Sequence, residues 1–351
     1  MCEIMKQKSF FASFILILSA SLLTACSDSE GTVASATAAI ESGDYETAVA
    51  ALQPYISETG GDKAAYRAEG IAMLGAGRFP EAVDAFTRAL SCSNGIVEAA
   101  DIDVSYYLAV AEYKMGEHEK ALETTNAIAG ISPKDDGVYF LRGKIELALG
   151  NKNAAIGDFD TTVELAPDNY DRYVGIYEEL HARGFDQEAA AYLEKAMSVG
   201  NKLSDYNKGV LEYYLGSYTD ARNDLENAGK SDKSENLTLY LGRTYEALGD
   251  SGYAMTLYED YLREHSSAGR IYEELASCKM KEEDYEEALN VIESGLSLGD
   301  GEGRKGMMFD RAVAYERLYD FDTARKYMEE YLALYPDDEV AKRENVFLST
   351  R

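Results

Sequence analysis

The sequence predicts an all-α chain, an array of stacked helical hairpins forming an α-solenoid without a single globular core. Three observations predict it. An alanine returns at Ala48, Ala82, Ala121, Ala155, Ala189, Ala221, Ala254, Ala288 and Ala324, at spacings of 34, 39, 34, 34, 32, 33, 34 and 36 residues. Five residues before it stands a glycine in seven of nine repeats, which suits a tight turn ending one helix. Twelve residues before it a small residue recurs, and four residues after it a mostly larger one. The first lies on one helix and the second on another, so small sites let two antiparallel helices approach closely while larger neighbours interlock.

The repeats follow in order. Repeat one carries Ala36, Gly43 and Leu52, and Pro54 lies inside its second helix, where it is expected to shorten or kink that helix. Repeat two has Gly70, Gly77 and Phe86. Repeat three has Ala109, Gly116 and Thr125; the long step before its alanine implies an insertion at 91–101, where Ser93-Asn94-Gly95 signals a turn. Repeat four has Gly143, Gly150 and Phe159, and Pro133 and Pro167 stop the second helices of repeats three and four. Repeat five puts Tyr177 at the small site, with Gly184 and Leu193. Repeats six and seven have Gly209, Gly216 and Leu225, then Gly242, Gly249 and Tyr258. Repeats eight and nine keep Ala276 with Ile292 and Ala312 with Met328, but Glu283 and Tyr319 replace the turn glycine. The 36-residue step falls in 299–306. After Pro336, residues 337–351 read as a capping helix whose Val340, Ala341, Val346 and Phe347 cover the last apolar face.

Tyr139, Gly143, Gly150, Ala155, Phe159 and Pro167 together resemble the tetratricopeptide-repeat (TPR) family. The resemblance implies a right-handed solenoid of about nine hairpins over residues 32–336, whose first helices line a concave surface. It also implies a protein or peptide ligand. The family's groove positions carry over to Arg67, Tyr106, Tyr113, Phe140, Lys144, Glu178, His181, Tyr206, Tyr213, Arg243 and Arg270. This mixture of aromatic residues and isolated cations could hold an extended peptide, or the rings could pack between adjacent first helices. The Lys and Asn pair by which one subgroup clamps a terminal carboxylate has no counterpart: the corresponding residues are Arg67 with Ile71 and Phe140 with Lys144.

At the N-terminus, Lys6 and Lys8 precede an apolar run, Phe10–Leu23, that reaches Leu23-Thr24-Ala25-Cys26. That layout describes a secretory signal over residues 1–25. Its tetrapeptide resembles the lipobox of bacterial lipoproteins, which implies that Cys26 is lipidated and becomes the first mature residue. Residues 26–31 are then the lipidated cysteine and a short polar spacer. The implied address is a lipid-anchored position on the extracytoplasmic face of a cell membrane, or the periplasmic side.

The chain carries 34 Lys and Arg against 63 Asp and Glu, a net charge of −29. Such a surface repels nucleic acid and anionic headgroups, so no nucleic-acid partner is expected. Beyond Cys2 and Cys26, only Cys92 and Cys278 remain, nearly six repeats apart, and no disulfide is expected. Gly301, Gly303 and Gly306 match a dinucleotide-binding string but lie between hairpins, with no strand before them, and read as a turn. His118 stands where other repeats have Tyr or Phe, a packing position, and no cysteine–histidine spacing suits zinc. No catalytic residue, metal or cofactor is expected, because an open array of hairpins lacks a water-poor pocket. The expected function is a membrane-tethered interaction scaffold, the alternative a peptide or small-ligand receptor enclosing its target.

Overall fold

A computed structural model describes residues 27–199, 203–299, 301, 303–336 and 338–351; the expected signal (1–25) and Cys26 lie outside them. Among the described residues there are nineteen α-helices and no strand. The chain divides into two compact halves, residues 1–199 and 200–351. The first holds five hairpins: α1 (Ser27–Glu41) with α2 (Tyr45–Thr59), α3 (Lys63–Gly75) with α4 (Phe79–Ser91), α5 (Ala99–Lys114) with α6 (His118–Ile131), α7 (Asp136–Ala148) with α8 (Lys152–Leu165), and α9 (Tyr170–His181) with α10 (Asp186–Ser198). The second holds four: α11 (Asp205–Tyr214) with α12 (Tyr218–Ala228), α13 (Glu235–Ala247) with α14 (Ser251–Glu264), α15 (Gly269–Lys281) with α16 (Tyr285–Leu296), and α17 (Arg304–Arg317) with α18 (Phe321–Leu334). A last helix, α19, spans Glu339–Leu348. Within each half every second helix packs on the next first helix or, at the end, on α19, and successive first helices also touch. The buried side chains form local clusters shared by neighbouring hairpins, as a solenoid requires.

All nine hairpins turn the same way. The residue after the turn donates its amide to a carbonyl five residues back, as in Asp44 to Ala39 (2.9 Å), Asn151 to Glu146 (2.8 Å) and Asp320 to Tyr315 (2.9 Å). That bond needs a left-handed residue just before it. Seven glycines supply it, Gly150 with φ 81°, and Glu283 and Tyr319 adopt the same conformation with φ 62° and 63°. The next residue caps the second helix; Asp44, Asp250, Asp284 and Asp320 each accept from an amide three residues on. Part of the acidic composition is therefore helix capping. Pro133, Pro167 and Pro336 each stand two residues beyond a helix end.

The repeat alanines are all fully buried, and so are the nine residues four positions later. The small residue of the first helix seats that later side chain. A Cβ added to Gly70 would lie 2.5 Å from the Phe86 ring, and one added to Gly143 would lie 2.5 Å from Phe159. Gly209 and Gly242 seat Leu225 and Tyr258 in the same way. Where the seat is alanine the partner is Leu52, Thr125, Ile292 or Met328, never an aromatic ring. Aromatic rings are thus seated only over glycine, while the fifth hairpin, with Tyr177 at this position and Leu193 opposite, departs from the pattern.

Three details differ from the sequence reading. Helix α2 is 15 residues long with exposed Pro54 inside it, so the proline does not shorten the helix. The described part of α1 runs from Ser27, so the expected spacer is helical from that residue; no proline interrupts it. In the 299–306 segment, read as a turn, Gly303 caps α17 with φ 83°, and a Cβ there would lie 2.6 Å from the Gly269 carbonyl oxygen. In α19 only Ala341 and Leu348 are buried, while Val346 and Phe347 are exposed. The insertion between α4 and α5 is present over residues 92–98 and exposes Ile96 and Val97. Cys92 and Cys278 are free thiols.

Two outcomes are expected in urea unfolding. Gly143→Ala and Phe159→Leu will show a coupling energy of about 1 kcal/mol or more, since each relieves the other's misfit; additive effects would contradict the shared seat. Glu283→Gly and Tyr319→Gly will each stabilise by about 0.5–1 kcal/mol, by removing a left-handed conformation that costs an L residue about 1–2 kcal/mol; a loss of stability would show that the side chain compensates.

Candidate first-helix interaction surface

The first-helix residues singled out by the sequence fall 18, 15, 11 and 8 positions before the repeat alanine. Steps of three and four place them on one helix stripe. Because successive first helices touch, the stripes of neighbouring repeats adjoin within each half.

In the first half, the stripe gathers Tyr106 and Tyr113 from α5 and Phe140 and Lys144 from α7, with Arg172 and Glu179 from α9. Lys144 Nζ lies 2.9 Å from Glu179 Oε1, 5.6 Å from the centre of the Phe140 ring and 5.8 Å from that of Tyr113. Arg172 also stands over the Phe140 ring, 5.0 Å from its centre, and its Nε lies 2.8 Å from Asp136 Oδ2. Burial alone would raise the Glu179 carboxyl, but Lys144 and Arg183 outweigh it and hold it below its ordinary value. Burial pushes the Tyr106 phenol far up, so it stays a neutral hydroxyl. One hairpin row earlier, Arg67 pairs with Asp103 of α5 and stands 5.5 Å from the Tyr107 ring.

In the second half, Tyr206 and Tyr213 of α11 meet Tyr240 of α13, with ring centres 6.3 and 6.0 Å apart at 70° and 67°. Tyr214 completes the group, its hydroxyl 3.3 Å from that of Tyr240. Edge-to-face packing of this kind adds about 0.5–1.5 kcal/mol per pair beyond area burial. Arg243 of α13 reaches Glu274 of α15 through both Nε (3.0 Å) and Nη2 (2.5 Å). Arg270 donates to Asn236 Oδ1 at 2.8 Å. Burial pushes the Tyr213 phenol up to about 12.

The structure therefore brings Tyr106, Tyr113, Phe140 and Lys144 together in one half and Tyr206, Tyr213 and Arg243 in the other. Two expectations change. The groove cations are not isolated: Arg67, Lys144, Arg243 and Arg270 each bond to the neighbouring first helix, so they join repeats. Phe140 is 1 % exposed, a floor beneath Lys144 and Arg172 and no surface for a ligand. His181 stacks on Tyr177 (ring centres 5.3 Å, 8°) and its Nδ1 lies 2.5 Å from Asp186 at the hairpin turn. Glu178 is half-buried on the same helix. The partners Asp103, Asp136, Arg172, Glu179, Tyr240 and Glu274 were not singled out by sequence; an opposite charge 31 to 36 residues away is the signal that finds most of them.

Among the described residues no group of carboxylates, histidines or cysteines could hold a metal ion, and no helix is long and apolar enough to cross a membrane. A cleft of about 330 Å³ opens beside the turns of the fourth and fifth hairpins, lined by Leu147, Ala148, Gly150, Lys152, Arg183 and Phe185. Its cations are paired too, Lys152 with Glu188 and Arg183 with Glu179.

Beside Tyr213, Glu212 is buried, with Oε1 3.3 Å from Lys208 Nζ, while Lys208 sits 2.6 Å from Asp224. Burial first, and then the Asp224 carboxylate, push Glu212 up to about 7. A carboxyl raised on folding stabilises the fold fully below its ordinary value near 4.5, and that contribution is lost as pH rises through 7. Stability should therefore fall between pH 5 and pH 8, and Glu212→Gln should lessen that fall by about 2 kcal/mol. Denaturant midpoints across that range check it; an unchanged pH profile in the variant would refute the assignment.

Family profiles match four segments: Fis1 C-terminal tetratricopeptide repeat at 102–150, and tetratricopeptide repeat at 33–95, 206–269 and 307–338. Together they span more than half of the chain. Solved structures similar to it include a tetratricopeptide repeat protein from Parabacteroides merdae ATCC 43184, with 21% identity over 72% of this chain and 98% of that one and a TM-score of 0.45. MamA from Desulfovibrio magneticus RS-1 matches at 18% identity over 50% of this chain and 97% of that one, TM-score 0.42. The APC/C hetero-tetramer Cut9-Hcn1 matches at 16% identity over 87% of this chain and 59% of that one, TM-score 0.43. No protein of curated function matches the chain.

Proposed function

Because the chain belongs to the tetratricopeptide-repeat proteins, we propose that it is a non-enzymatic scaffold that binds a protein or peptide on its first-helix stripes while a lipid on Cys26 tethers it to a membrane, facing away from the cytoplasm. The observation that carries the binding reading is the ready-paired stripe. Lys144, Arg243 and Arg67 are already fixed by neighbouring carboxylates. Half-buried Tyr106, Tyr113, Tyr206 and Tyr213 stand beside them. A surface held in place before the partner arrives spends little side-chain entropy on binding. The receptor alternative requires an enclosed pocket on the stripe; the 330 Å³ cleft is lined instead by turn residues and includes none of these tyrosines.

The tether reading rests on the basic pair Lys6 and Lys8, the apolar run and Leu23-Thr24-Ala25-Cys26. Two acyl chains on one cysteine would hold far more firmly than one, at about 0.8 kcal/mol per buried CH₂.

Two measurements test these readings separately. A photo-crosslinking residue placed at Tyr213 is expected to give a discrete adduct in cells, and the same residue at exposed Lys230 is expected to give none; equal or absent labelling at both would overturn the binding surface. Cys26→Ser is expected to leave the membrane fraction, and continued membrane retention would remove the lipid tether.

A further inference from the structure

The hairpins of the first half share two edges. First helices run from one edge to the other and second helices run back. The start of α1 therefore lies on the same edge as the joints between hairpins, residues 60–62, 92–98 and 132–135. The turns inside hairpins, such as those at Gly116 and Gly150, lie on the opposite edge. Among the described residues of this half, the exposed large apolar side chains are Ile96 (69%), Val97 (58%), Ile131 (54%), Met115 (39%) and Leu165 (37%). All but Met115 stand on the edge where α1 starts.

The most exposed pair, Ile96 and Val97, is carried by a tied loop. Ser93 bonds to Asp101, whose other oxygen accepts from the Glu98 amide at 2.9 Å, and Lys63 of α3 reaches Asp101 at 2.8 Å. Asn94 Oδ1 accepts from the Ile96 amide at 3.0 Å. The loop thus spends its polar groups on itself and leaves its apolar ones in water. Apolar groups exposed together mark an interaction surface. Charge does not decide what covers this edge, because Glu98 and Asp101 face Lys63, and Asp136 faces Arg172.

The chain before α1 says what lies there. The apolar run Phe10–Leu23 and then Cys26 precede Ser27 directly, and Cys26 is one peptide step, about 3.8 Å, from it. A lipid on Cys26 therefore brings a bilayer to this edge. Helices α1, α3 and α5 touch in turn, at about 8–10 Å per step, and the loop 92–98 leads straight into α5. Its apolar residues thus lie about 16–20 Å along the edge from the lipid. We propose that this edge, through Ile96, Val97 and Ile131, rests on the lipid surface that holds the tether, so that the first half meets the membrane at two places. The proposal rests on the tether reading above.

The test uses the full lipidated chain in phosphatidylcholine vesicles that contain a lipid with a nitroxide quencher just below its headgroup. Phosphatidylcholine has no net charge to oppose the −29 of the chain. A fluorophore on the exposed native thiol of Cys92, four residues before Ile96, reports on this edge, and buried Cys278 stays unlabelled. A fluorophore at Asn151→Cys, in a chain that also carries Cys92→Ser, reports on the opposite edge. Quenching at Cys92 is expected to exceed that at position 151 about twofold or more, and Ile96→Asp with Val97→Asp is expected to remove at least about half of that excess. Both side chains are exposed, so the double variant should keep the parental melting temperature. Should it melt earlier, Ile131→Asp provides the same reading. Vesicle flotation separates this contact from the tether. A chain that does not float with the vesicles would remove the tether and this contact with it, whereas flotation with equal quenching at both edges would overturn this contact alone. Undiminished quenching in the aspartate variants would also overturn it. So would a concentration-dependent dimer that those variants abolish, since a second copy would then cover the edge.

Discussion

Most hairpins of this molecule depend on the fit between a small residue on one helix and a larger one on its partner. The seats at Gly70, Gly143, Gly209 and Gly242 leave no room for even one methyl group over their occupants. The close approach this allows buries the repeat alanines completely. Hydrophobic burial alone would accept many arrangements of two apolar helices, whereas a seat that admits one side chain fixes both rotation and translation. The left-handed turn then sets the length of each hairpin, and its amide-to-carbonyl bond closes the first helix without loose polar ends. Seats within hairpins and turns at their ends are sufficient to repeat the unit.

Much of that was legible in the sequence, because a structure made by repetition prints its rules many times. The alanine period, the glycine five positions before it and the prolines twelve after it each located a physical event. What one period could not reveal was the partner of each position. The small site was legible as small, but its occupant, four residues beyond the alanine on the other helix, emerged only from coordinates. Pro54 was expected to shorten or kink its helix, and the helix is not shortened: a single sequence shows that a proline lies inside a helix but not how the turns around it adjust. In α19 the apolar residues were evident, but their division between inner and outer face was not, since Val346 and Phe347 are outside while Ala341 and Leu348 are inside.

The candidate surface was legible in type and incomplete in wiring. Family positions pointed to tyrosines and cations on the first helices, and these do lie on one stripe. Their carboxylate partners sit on the next first helix, about one repeat away, where no local motif would lead the eye. Arg67 with Asp103, Lys144 with Glu179 and Arg243 with Glu274 follow this rule. The same residues thus join one hairpin to the next, and in the proposed function they also shape what a partner would meet.

These joining pairs differ from the seats in how they respond to their surroundings. A seat is dry and apolar, so dissolved ions hardly affect it. The pairs on the stripe remain partly wet, with the Arg67 and Asp103 side chains 25% and 39% exposed, and ions screen such charges over about 8 Å at physiological strength. Salt would therefore weaken the more exposed of these pairs between neighbouring first helices within each half and leave the apolar seats inside each hairpin unchanged.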